Sequence, residues 1–170
     1  EVGVDSLNRV KEPTESTNPS TKWVPVGTAG ANDNFANATP LPPTPVMMTG
    51  SNACATKEAG EPAHAGNAGG ASVWFRWTPS VSDEVAFNTM GSGFDTLLAV
   101  YTGGSVGALT PVVSNDNNAG GITSRVAFHA VAGTMYFIAI DGKNGAMGNY
   151  VLNFEGHPGN DAFSAAYTLG

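Results

Sequence analysis

The 170-residue chain holds 22 glycines and 11 prolines, and only 12% of its residues are charged, against about 25% in an average soluble domain. Its net charge of −7 repels phosphate backbones and excludes nucleic acid as a partner. A single cysteine, Cys54, excludes an internal disulfide framework and any multi-cysteine zinc site, and the length suits one core rather than two.

Residues 1–22 contain four of the 14 acidic residues, three of the seven basic ones and no aromatic residue. Such a segment buries too little apolar surface to offset the entropy of its own ordering, so it is predicted to be an extended polar arm. Ordered, it would have to lie on its own domain or on a neighbouring copy. Glu1 in place of a methionine is expected of a processed product or a fragment.

A β-domain is predicted over residues 23–156. From Ala71 onward the dominant period is two, the mark of half-buried strands, and helical spacing is nearly absent. Strands are predicted over Ser72–Thr78, Glu84–Thr89, Thr96–Tyr101, Leu109–Val113, Ser124–Val131, Met135–Asp141 and Asn149–Phe154, separated by Gly-rich or Asn/Asp-rich turns. In the first, Val73, Phe75 and Trp77 share the core face, while Trp74, Arg76 and Thr78 take the other. Strands this closely spaced, with no helix between them, indicate an all-β antiparallel sandwich or barrel, of which the sandwich is the one expected here. Residues 50–70 form a long polar, glycine-rich loop, of the kind that is usually functional or supported from outside. The apolar run around Met135–Ile140 is far short of the roughly 20 residues a membrane-spanning helix needs.

The chain carries an internal repeat. Asn32-Asp33-Asn34-Phe35-Ala36 and Asn160-Asp161-Ala162-Phe163-Ser164 are 128 residues apart, and Leu41 and Leu169 keep the same spacing. Upstream, Trp23–Gly27 matches Val151–Glu155 more loosely. One unit is therefore about 128 residues long, and residues 157–170 open a following repeat or act as a donor segment, as in a tandem array or a polymer.

Several motifs in order resemble the bacterial pre-peptidase C-terminal domain family, whose members are appended to secreted peptidases and repeated in cell-surface proteins. They are Asn32-Asp33-x-Phe35-x-x-Ala38, Trp74-Phe75-Arg76-Trp77, Phe94-Asp95-Thr96 running on to Gly103, Ser114-Asn115-Asp116, Ala132-Gly133-Thr134-x-Tyr136 running on to Gly142, and Gly148-Asn149-Tyr150. The resemblance covers about 120 residues and leaves out the arm before Trp23. It implies a jelly-roll-like sandwich, a non-catalytic role, secretion and, in some members, a calcium ion near the Asn-Asp segment. Calcium wants six to eight hard oxygen ligands. Here Asn32, Asp33 and Asn34 supply side-chain oxygens, with Glu58, Glu61, Asp95 and Asp116 as further candidates. The chain departs from calcium-binding members in having Gly69-Gly70-Ala71-Ser72, without acids, before its first major strand.

No catalytic motif stands out. His64, His129 and His157 lie in no metal-protease or hydrolase signature, and Cys54 has no neighbouring base, which favours burial or an intermolecular disulfide. Trp74, Tyr101 and Trp23 are the candidates for a sugar-stacking platform. These features, with richness in Asn, Gly, Thr and Ser, point to a non-enzymatic protein outside the cell or on its surface. It would assemble with copies of itself or with adjacent repeats into a filament, surface layer or adhesin. An edge strand can be completed by a segment of a neighbour. Val2, Val4 and Leu7 are apolar anchors in the arm. Phe163, Ala165 and Tyr167 alternate as an inserted strand would, with Phe163 in the position that Phe35 takes in the intact unit. The alternative is a module that holds polysaccharide or protein substrate for a secreted hydrolase.

Overall fold

The computed structural model describes residues 30–156 and, by backbone alone, two short strands that precede them. These are β1 (Arg9–Lys11) and β2 (Trp23–Pro25), paired antiparallel in a sheet of their own. β2 falls in the apolar run that the repeat matches to Val151–Glu155.

The described domain is a two-sheet antiparallel sandwich. In the five-stranded sheet the order is β3 (Thr39–Pro40), β5 (Val73–Trp77), β10 (Tyr136–Gly142), β7 (Thr96–Thr102) and β8 (Thr110–Asn115). In the four-stranded sheet it is β4 (Val46–Ser51), β11 (Asn149–Gly156), β6 (Asp83–Asn88) and β9 (Arg125–Ala130). Every neighbouring pair is antiparallel except β3 beside β5. Each strand predicted from the sequence has its counterpart, and alternation is clear where one face meets the core. In β11, for instance, Tyr150, Leu152 and Phe154 point inward.

The inner faces meet in one cluster. Val73, Phe75 and Trp77 of β5, with Ile138 and Ile140 of β10, pack against Phe87, Phe128, Leu152 and Phe154 of the other sheet. Aromatic contacts tie the layers, with Trp77 and Phe154 ring centroids 4.9 Å apart.

The strands β3 and β4 were not expected from the sequence. Val46-Met47-Met48-Thr49-Gly50-Ser51 follows closely on Pro42, Pro43 and Pro45 and lies on a sheet edge. There apolar residues face outward as well as inward, Met47 being 66% exposed, so no clean alternation marks the strand. A second departure concerns the central strands. β10 is buried throughout and β7 at every residue but Thr102, so the middle of the five-stranded sheet is covered on both faces. Arg76 and Thr78 are exposed as expected, but Trp74 is fully buried in a second cluster with Phe35, Ala38, Tyr101 and Phe137. Its cover comes from the segment leading into β3 and from the long loop between β4 and β5.

Candidate functional site

The outer cluster contains a polar core of its own. Residues 52–72 cross the outer face of the five-stranded sheet and bring Glu61 and His64 down onto it, both buried. His64 Nδ1 lies 2.8 Å from the Tyr101 hydroxyl on β7, and His64 Nε2 lies 2.8 Å from Glu61 Oε1. Glu61 Oε2 accepts the Glu58 N–H at 2.9 Å. The imidazole meets the Trp74 and Tyr101 rings edge-on, at centroid distances of 5.5 and 5.7 Å. Next to it Asp141, at the end of β10, accepts N–H bonds from Ala71 at 2.8 Å, Gly142 at 2.7 Å and Gly70 at 3.1 Å. The close approach of Asp141 requires glycine at position 69, where φ is +60° and a Cβ would collide with the carboxylate.

Electrostatics orders the protons along this chain. Burial pushes the Glu61 carboxyl up, but hydrogen bonds from His64, Ser72 and the Glu58 N–H, with the His64 charge, outweigh it and leave Glu61 below its ordinary value. Burial, and the charges of Glu61 and Asp141, push the Tyr101 hydroxyl up to about 12. The His64 imidazole bridges the two, with Nδ1 facing the Tyr101 hydroxyl and Nε2 facing Glu61 Oε1. This order of groups is that of a proton relay, but no substrate reaches it, since His64 is 0% and Tyr101 4% exposed. Its chemistry is that of a latch, in which Glu61 and His64 of the loop pair with each other and, through His64, with Tyr101 on β7.

The latch supports the segment that leads into β3. Glu58, held by Glu61, accepts the Phe35 N–H at 2.5 Å, and Asp33 Oδ1 accepts the Thr56 N–H at 2.6 Å. Asn32 completes the edge of β5, where its carbonyl accepts the Trp74 N–H at 2.9 Å and its amide donates to the Trp74 carbonyl at 3.2 Å. The Phe35 ring then packs on Phe137 at 4.2 Å and edge-on to Trp74 at 5.2 Å. Asn32 to Phe35 thus act as a clasp across the sheet edge and the loop.

The seven calcium candidates do not converge on one point. Asn32, Asp33, Glu58 and Glu61 come together along the clasp, but hydrogen bonds to Trp74, Thr56, Phe35 and His64 occupy them. Asn34 is exposed, and its side chain makes no cap to the short 3₁₀ turn that follows it. Asp95 and Asp116 lie elsewhere, beside Lys143, whose ammonium is 2.8 Å from Asp116 Oδ2 and whose N–H donates to the Asp95 carbonyl. One oxygen each of Asp95 and Asp116 is buried with no partner among the described residues. The residues that do converge within 4.8 Å are Glu61, His64 and Asp141, and N–H groups already fill both carboxylates. The arrangement does not fit one calcium ion, which asks for six to eight free oxygens.

The sugar platform needs correction. Trp74 and Tyr101 are buried and present no face to a sugar, because the loop and the clasp cover the side of the sheet on which they lie. Of Trp23 the structure describes the backbone alone. Phe35 is buried within the clasp, whereas Val2, Val4, Leu7, Phe163, Ala165 and Tyr167 lie outside the described residues, as does His157. Cys54 is exposed rather than buried, and His129 pairs at the surface with Glu84 at 3.3 Å. Sequence reasoning missed His64 and Asp141 as partners. The available signal was Asp141 itself, an acid closing the otherwise apolar run from Tyr136 to Ile140.

Comparison with protein-family models finds no match, and comparison with curated proteins finds none either. Among solved structures the chain is similar to the pre-peptidase C-terminal domain of a collagenase from Bacillus anthracis. The TM-score is 0.47 and the identity 12%, over 69% of this chain and 94% of that one. That domain belongs to the family the sequence motifs resemble.

Proposed function

We propose that the chain is a non-catalytic, extracellular structural module that works as one unit of a repeated β-sandwich assembly. The observation that carries this reading is the clasp together with its second copy. Asn32, Asp33 and Phe35 close the unit at its own sheet edge, and the same motif returns at Asn160, Asp161 and Phe163. In the described unit the clasp position is filled by the unit's own Phe35. A neighbour's Phe163 would enter only by displacing it, so the second motif serves a following unit in tandem rather than a donated strand. Burial of the relay-like network supports a non-catalytic role, and burial of Trp74 and Tyr101 removes the aromatic candidates of a substrate-holding module.

The test is a two-unit chain in which residues 1–170 are followed by a second copy of residues 43–156, so that residues 160–170 stand where the clasp stands in the first unit. Two folded sandwiches are expected by NMR and by the unfolding enthalpy, with Phe163→Asp unfolding the second alone. A second copy that stays unfolded beside an intact first would overturn the tandem reading.

A further inference from the structure

The chain comes into and leaves the sandwich at opposite ends. Gly30 lies beside Ser51, which pairs with Asn149 at the start of β11, whereas Gly156 closes β11 against Pro45 at the other end. The two points are separated by roughly the length of an eight-residue strand, about 25 Å. Three residues, His157-Pro158-Gly159, stand between Gly156 and the second motif at Asn160. Four Cα steps reach at most about 14 Å. If residues from Asn160 onward clasp a second unit as Asn32 does the first, the lead-in end of that unit has no room to stay clear of the exit end of this one.

The exit end exposes apolar side chains. Val81, Val131 and Met135 are 65%, 50% and 48% exposed there, on two turns that bond to each other through Gly133 N–H to the Pro79 carbonyl and Ala132 N–H to Ser82 Oγ. Trp77 lines two cavities at this end, one of about 130 Å³ against Pro45, Val81 and Gly156, the other reaching Met135. Trp77 is 3% exposed, yet its indole N–H has no acceptor among the described residues, which is unusual for a buried donor. At the lead-in end Ile122 and Met147, 53% and 50% exposed, are the apolar counterparts.

We infer that the Trp77 end of the sandwich is a docking surface for the lead-in end of the following unit, so that successive units form a stiff rod rather than beads on a flexible string. The inference rests on the tandem reading above. Each junction buries Val81, Val131 and Met135.

The two-unit chain tests it by ¹⁵N relaxation and small-angle scattering. A docked pair tumbles as one body, so the rotational correlation time of each unit should roughly double relative to the 170-residue chain. Val81→Asp with Met135→Asp, both at exposed positions, should return it toward the single-unit value while each unit keeps its fold. Two folded units that tumble independently would overturn the docking and leave the tandem reading standing. A second unit that does not fold would overturn both. Correlation times unmoved by the aspartates and by Trp77→Phe would overturn the Trp77 end as the contact.

Discussion

Replacing His64 with alanine should cost the domain about 3–5 kcal/mol. The imidazole is buried at 0% exposure and joins Glu61 Oε1 to the Tyr101 hydroxyl, each at 2.8 Å. Deleting one member of a buried pair costs about 3–5 kcal/mol, because the partner charge is left uncompensated. An orphaned buried hydroxyl costs about 1–3 kcal/mol more. The two do not add fully, since Glu61 can take up a proton and water can enter the space left by the ring, so the expected cost stays near the first figure. In a domain of this size each kcal/mol moves the melting temperature by about 3–5 °C, which puts the expected fall at about 9–25 °C. Urea unfolding followed by tryptophan fluorescence measures the loss. Native-state hydrogen exchange at Thr56, Gly70 and Ala71 locates it, since their N–H groups bond to Asp33 and Asp141 beneath the loop. Replacing His64, Glu61 and Tyr101 together by Phe, Leu and Phe should recover much of the stability, because no polar group is then stranded. Stability within about 1 kcal/mol of wild type in His64→Ala, with loop exchange unchanged, would refute the latch.

Glu61 has its carboxyl held below the ordinary value of 4.5, so its contribution is complete above that pH and is lost as pH falls through the lower folded value; Glu61→Gln should flatten the acid limb of a stability-against-pH curve. Tyr101 works in the opposite direction: raised from 10.0 to about 12, it favours the fold below pH 10 and loses that contribution as pH climbs toward 12, a slope that Tyr101→Phe should reduce. Chelation should leave the melting temperature unchanged to within about 2 °C, because the clasp carboxylates are filled by N–H and O–H donors; a larger fall in calorimetry would mean that a cation competes for them.

The sandwich was legible because its strands alternate, and alternation reports a sheet with one face on a core. Val126, Phe128 and Ala130 of β9 are the clear case. The outer layer was not legible for the same reason. Trp74 stands on the face that period two assigns to solvent, and only the three-dimensional path of the loop covers it. The loop's own composition, rich in glycine and alanine, gives no sign that Glu61 and His64 go inward, because the partner that draws His64 in, Tyr101, is 37 residues away. The Asn-Asp-x-Phe motif was legible as a repeat but its role was not. Asn and Asp suggest metal ligands or local turns, whereas here they complete the edge of β5 and tie down the loop.

The latch and the clasp form one cooperative arrangement. A purely apolar loop would cover Trp74 as well, but with nothing to set its position along the sheet, since hydrophobic burial has no direction. The hydrogen bonds of Glu61, His64, Tyr101 and Asp141 set that position. Through the Glu58 N–H held by Glu61, they place the Glu58 carboxylate where Phe35 must donate. Loss of His64 should therefore loosen the lead-in segment at Phe35 as well as the loop above the ring. A second unit that uses residues 160–170 as its clasp would depend on its own copy of the same four residues. In such an array the stability of each unit would be set locally, so that the chain could lengthen without refolding the units already made.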